Sequence, residues 1–156
     1  FTAEYGNDFD GIEQIGGRYL IEGSHRFGVD TEFHSWLEEL PQGTDSLWTG
    51  DFNVVHRFAQ SEHVQFRTGL GANWLEDHGS ADFGINFTYG VDVFPKKPWV
   101  WSNTIDLGTL GDAGRFHFRS TIGLQVRNVE FFTGYDYQRI GDAELPGLLT
   151  GIKLSF

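Results

Sequence analysis

Apolar and polar residues alternate almost one for one along the chain, which is the two-residue period of a strand and not the 3.6-residue period of a helix. Ten segments carry the pattern: Phe1–Tyr5, Gln14–Glu22, Phe27–Trp36, Leu47–Phe58, Val64–Leu75, Asp82–Phe94, Trp99–Leu110, Arg115–Val126, Val129–Gln138 and Leu148–Phe156. The apolar face is clearest at Phe27, Val29 and Phe33, at Phe83, Ile85, Phe87, Tyr89, Val91 and Val93, and at Phe116, Phe118, Ile122, Leu124 and Val126. Ten strands in 156 residues predict one all-β domain over residues 1–156, with consecutive strands paired antiparallel.

The connections fall into two sets. "GSHR", "AQSEH", "PKKP" and "RN" read as tight turns, and they alternate with "NDFDGIEQ", "LEELPQGTDS", "EDHGSA", "LGDAG" and "IGDAELPG", which read as longer links. In a meander the tight turns share one end of the sheet and the longer links the other. Charge follows the same division. The longer links hold twelve acidic residues and no basic one: Asp8, Asp10, Glu13, Glu38, Glu39, Asp45, Glu76, Asp77, Asp82, Asp112, Asp142 and Glu144. The opposite end carries Arg26, Lys96, Lys97 and Arg127 against Glu62.

Fifteen further charges lie within the strands: Glu4, Arg18, Glu22, Asp30, Glu32, Asp51, Arg57, Arg67, Asp92, Asp106, Arg115, Arg119, Glu130, Asp136 and Lys153. By parity all of them share the face opposite the large apolar residues, and His34 and His117 join them. The sheet therefore has one apolar face and one charged face from end to end.

Composition narrows the function classes. A net charge of −11 argues against nucleic acid and against a basic lipid-binding patch. The absence of cysteine excludes disulfides, thiolate nucleophiles and Cys-ligated zinc, and fits an oxidising compartment. No run of about 18 apolar residues offers a transmembrane helix. The chain starts without Met or a signal-like segment, which reads as a processed product.

Two closed architectures share this alternation: a soluble barrel with the apolar face inward, like the ten-stranded fatty-acid-binding proteins, and a transmembrane barrel with that face on lipid. Three features favour the second. The charged face mixes both signs and carries Gly28, Gly69, Gly71, Gly84, Gly90, Gly108, Gly123, Gly134 and Gly151, which leave room for long side chains in a narrow lumen. The apolar face places Trp48, Phe58, Trp74, Trp99, Trp101, Tyr135, Tyr137 and Phe156 near strand ends, where a bilayer has its interfaces. The two ends also differ in loop length, and no helical lid follows the first strand.

The final "GLLTGIKLSF", ending on Phe156, resembles the C-terminal strand of Gram-negative outer-membrane β-barrels. That resemblance implies an up-and-down transmembrane barrel of about ten strands in the bacterial outer membrane. It also implies contact with membrane lipid, and with the barrel-assembly machinery, for which Phe156 would be the signal. The tight turns would then face the periplasm and the acidic links the exterior.

Candidate chemistry is sparse. Thirteen of the strand charges, leaving Glu4 and Arg115 aside, are expected to form with His34 and His117 a paired network in the lumen. Trp36, Phe94, Phe132, Arg57, Arg67 and Arg119 are expected to fill the axis. Lipid A deacylase barrels carry His-x-Ser, whereas Ser120 stands three places after His117, and omptin proteases are similar in strand number only. No catalytic residue is assigned, and His56 is expected at the interface. The acidic rim is the candidate metal site, for weak calcium binding centred on Asp8, Asp10, Glu38, Glu39, Glu76 and Asp77. The reading is a non-enzymatic structural or anchoring barrel, with a possible envelope protein as partner and no cofactor. A narrow pore and a lumen or rim hydrolase are its rivals.

Overall fold

The computed structural model describes residues 1–8, 11–40, 43–77 and 79–156, and the side chains of all these but 38–40 and 43–45. Ten strands form one closed antiparallel barrel: β1 (Thr2–Asn7), β2 (Ile12–Glu22), β3 (Phe27–Leu40), β4 (Gly43–Gln60), β5 (Val64–Asp77), β6 (Ser80–Val93), β7 (Trp99–Leu110), β8 (Ala113–Val126), β9 (Val129–Ile140) and β10 (Ala143–Leu154). Each strand pairs with its sequence neighbours, and β1 closes the sheet against β10 from Thr2↔Lys153 to Asn7↔Leu148. Closure leaves no open sheet edge, as a barrel in hydrocarbon requires.

Each of the ten alternating segments is a strand, but most strands run further than the alternation does. Eight of the twelve acidic residues read as belonging to links sit in strands: Glu13, Glu38, Glu39, Asp45, Glu76, Asp77, Asp82 and Glu144. Four of the five connections at the acidic end span two residues, so the expected contrast of loop lengths is not found. The reason is physical. Alternation reports a sheet with unlike surroundings on its two faces, and a strand that continues into water has polar surroundings on both. Backbone pairing goes on, as in Trp74↔Phe83 through Asp77↔Ser80, while the side-chain pattern fades. Gly111 and Gly141, with φ of 54° and 58°, each open a two-residue connection, the place a type II′ turn reserves for glycine.

At the other terminus β10 ends at Leu154, so the strand does not run to Phe156. The backbone is nonetheless held there: Leu154 N–H donates to the Phe1 carbonyl at 2.7 Å and Ser155 N–H to the Asn128 carbonyl at 2.9 Å. Phe156 itself is fully exposed.

The outer surface is apolar. Ile15, Ile21, Phe52, Leu70, Ile85, Phe87, Leu107, Ile122 and Phe131 are among the large side chains that face outward, while all fifteen strand charges face in. A soluble barrel has the reverse arrangement, so the fatty-acid-binding alternative is excluded. At the basic end aromatic rings cluster: Phe1 on Tyr19 with centroids 4.7 Å apart, Phe27 stacked on His56 at 4.4 Å, and Phe58 against Phe66 and Tyr89 at 6.0 and 6.1 Å. His56 thus lies outside, near a strand end. The acidic end carries Tyr5, Trp48 and the Phe116–Tyr137 pair. Two aromatic belts around an apolar band match the two interfaces of a bilayer.

Candidate functional site

The core of this barrel is its lumen, and the lumen is polar. Its central layer is built around Arg119 of β8. Arg119 Nη2 donates to Glu4 Oε1 at 2.9 Å and Nη1 to Glu4 Oε2 at 3.3 Å, Nη1 also pairs with Glu32 Oε1 at 2.6 Å, and Nε donates to Asp136 Oδ1 at 2.8 Å. Strand pairing supplies only the last of these, since Arg119 stands opposite Asp136 in the β8–β9 register. Glu4 from β1 and Glu32 from β3 reach across the interior. A guanidinium presents five donors in a planar fork, which is why one residue can tie three walls together.

His34 and His117 flank this layer with ring centroids 6.4 Å apart. His117 Nδ1 lies 3.0 Å from Asp106 Oδ2 and its Nε2 2.9 Å from Asp136 Oδ1. Each ring nitrogen therefore faces a carboxylate. His34 Nε2 lies 2.7 Å from Glu32 Oε1, and its Nδ1 contacts Gln14 Nε2 and lies 3.6 Å from Glu4 Oε1. Both histidines are fully buried and each ring nitrogen already has a partner, so neither offers a free base to a substrate.

Gly16 makes the His34 contact possible. In register it lies between Glu4 of β1 and His34 of β3, facing the lumen. A Cβ at Gly16 would stand 2.7 Å from His34 Nδ1 and 3.0 Å from Glu4 Oε1, so only a bare backbone lets the two side chains meet over it. Gly90 and Gly123 give Arg67 and Glu130 space in the same way, at 2.8 and 2.4 Å from such a Cβ.

Toward the acidic end, Arg115 lies 3.5 Å from Asp51 Oδ2 and donates to Asn86 Oδ1 at 3.2 Å; Asn86 donates to Asn53 at 3.1 Å, and Asn53 to Asp51 at 2.9 Å. Toward the basic end, Arg18 pairs with Asp30, Arg57 with Glu22, Arg67 with Asp92 and, at 3.6 Å, Lys153 with Glu130. The structure therefore gives a partner to each of the thirteen charges and two histidines named from sequence. It also adds members that sequence reasoning left out: Glu4, Arg115, Gln14 and Gly16. Parity placed Glu4 and Arg115 on the correct face, but no sequence signal says which charges meet across a lumen.

Trp36 and Phe132 are buried beside the central layer. A vestibule of about 560 Å³ opens at the basic end, with Glu22, Arg57, Arg67, Asp92, Phe94 and Lys153 in its wall. A narrower extension of about 60 Å³ continues inward and reaches Glu4 and Arg119.

The acidic rim fares differently as a metal site. Asp10 and the side chains of Glu38 and Glu39 lie outside the described residues, Asp8 accepts the Ile12 N–H at 2.9 Å, and Glu76 is exposed. Among the described residues, the group of three side chains able to share an ion lies instead in the lumen: Glu4, Glu32 and His34.

Comparison with known proteins concerns the fold. No family model and no curated protein matches the chain. Among solved structures it is similar to the NanC porin, with a TM-score of 0.63 at 9% identity over 99% of both chains. The KdgM porin aligns with a TM-score of 0.44 at 11% identity over 100% of this chain and 99% of the other. Ail, the attachment invasion locus protein of Yersinia pestis, aligns at 0.41 and 12% over 99% and 93%. The fold is thus that of an outer-membrane β-barrel, as the terminal strand and the inward charges led one to expect.

Proposed function

We propose that this chain is a closed, non-enzymatic barrel of the bacterial outer membrane with a structural or anchoring role in the envelope. The observation that carries the reading is the cross-lumen bonding of Arg119 to Glu4, Glu32 and Asp136, backed by the buried Trp36 and Phe132. An ion crossing this layer would have to separate charge-assisted hydrogen bonds in a narrow, low-dielectric space. The two histidines support the absence of catalysis, because every ring nitrogen is engaged. The apolar exterior and the C-terminal Phe156 support the outer membrane, with lipid and the assembly machinery as partners.

Reconstitution of the purified barrel into planar bilayers tests this. The expected record is flat at moderate voltage. Reproducible single-channel steps that change with a substitution at Arg119 or Glu32 would replace this reading by that of a narrow channel. The vestibule favours that second reading, since its paired charges would meet a polar solute on entry, and a porin is the first of the similar structures.

A further inference from the structure

Ten of the fifteen inward charges form one-to-one pairs: Arg18–Asp30, Arg57–Glu22, Arg67–Asp92, Arg115–Asp51 and Lys153–Glu130. The remainder is the central layer, where Glu4, Glu32, Asp106 and Asp136 face Arg119 alone among the strand charges. His34 and His117 lie among these carboxylates. Four carboxylates against one guanidinium leave the most buried part of the molecule rich in negative charge. One symptom is local: Asp136 Oδ2 is buried and has no hydrogen-bond donor among the described residues. Uncompensated buried charge is costly, and a bound cation would offset it.

We propose that Glu4, Glu32 and His34 form a binding site for one divalent transition-metal cation of the zinc type. Each side chain offers one ligand atom, and those atoms lie within 4.8 Å of one another. Metal–ligand bonds of about 2.0–2.1 Å require separations of roughly 3.3 Å, which small side-chain rotations supply. An imidazole nitrogen with two carboxylate oxygens suits zinc and its neighbours, whereas calcium and magnesium favour oxygen alone. Gly16 keeps the space between Glu4 and His34 clear. Gln14 touches the His34 ring at Nδ1. The extension of the vestibule gives a route to Glu4 from the basic end.

In the metal-free protein Arg119 does the cation's electrostatic work by bridging Glu4 and Glu32. On metal binding its Nη groups give way while Nε stays on Asp136. Metal and guanidinium therefore compete for the same two carboxylates. This competition gives the site a signature that a surface cluster of carboxylates lacks.

The test is calorimetric titration of the EDTA-stripped barrel, folded in detergent, with Zn²⁺ alone. One Zn²⁺ per barrel is expected, with affinity at least tenfold weaker in Glu32→Gln and His34→Gln and unchanged in the rim variant Glu76→Gln. Arg119→Gln is expected to bind at least tenfold more tightly. Only variants whose heat-modifiable gel migration shows a folded barrel are titrated. No binding by the unmodified protein, binding indifferent to His34→Gln, or binding no tighter in Arg119→Gln would each overturn the proposal. Should the variants fail to fold, Co²⁺ added to the unmodified barrel decides. Visible bands of an imidazole-and-carboxylate site support it, and the spectrum of hydrated Co²⁺ refutes it.

Discussion

Glu4 and Arg119 stand 115 positions apart in the sequence and 2.9 Å apart in space, so their bond crosses the lumen and does not follow the wall. The strand carrying Glu4 is the shortest of the ten, with six residues. What β1 lacks in ladder length it gains through this tie to β8.

Removal of the hub should therefore be expensive. Arg119→Ala leaves Glu4, Glu32 and part of Asp136 as buried carboxylates without their cation, a change that costs about 3–5 kcal/mol. Arg119→Lys keeps the charge but cannot bond three carboxylates in one plane, and an intermediate loss is expected. Urea unfolding of the folded barrel in liposomes measures both, and a loss below about 1 kcal/mol for the alanine variant would show that the layer does not hold the wall together.

A second expectation concerns a missing side chain. Gly16→Ala pushes a methyl group to 2.7 Å from His34 Nδ1, while a Cβ at Gly114 meets nothing within 4 Å. Overpacking at Gly16 should cost about 1–3 kcal/mol, and Gly114→Ala should be close to neutral. Equal stabilities in the same unfolding assay would mean that His34 has room to retreat.

Outward positions should respond to depth. Phe87, in the middle of β6, and Val126, at the end of β8, are both exposed. Arginine at Phe87 is expected to cost about 2–4 kcal/mol of folding free energy in phosphatidylcholine liposomes and arginine at Val126 about 0–1 kcal/mol. Reversal of that order would misplace the apolar band.

The last residue makes a cleaner case in the structure than in the sequence. Phe156 lies beyond the final rung of β10 and is fully exposed, so its deletion removes no packing. Refolding in detergent should be unchanged, while insertion in cells should fall if the assembly machinery reads this residue. Pulse-chase fractionation of outer membranes beside in vitro refolding distinguishes the two, and an equal effect in both would remove the signal role.

The parts of the fold legible in sequence are those set by local surroundings. Where lipid lies on one side and the lumen on the other, as at Phe83 to Val93, parity names the face of every residue. Parity fails where both sides are wet, which is why Glu76, Asp77 and Glu144 read as links although they lie in strands. It also cannot see across the axis. Arg119 and Asp136 are neighbours on adjacent strands, but the meeting of Arg119 with Glu4 and Glu32 depends on how many strands close the ring and in what register. Gly16 shows the same limit: its alternation is unremarked, and its role appears only when Glu4 and His34 are seen on either side of it.

A closed sheet of ten strands is mechanically a thin shell, and the easiest deformation of a thin shell is to flatten into an oval. The guanidinium of Arg119 is held from β8 and pulled toward β1, β3 and β9 at once, as spokes meet at a hub. Flattening that carries β8 away from β1 or β3 lengthens one of those bonds. Charges that a bilayer would reject from the outer wall thus serve, on the inside, as ties that resist drawing β8 away from β1 and β3.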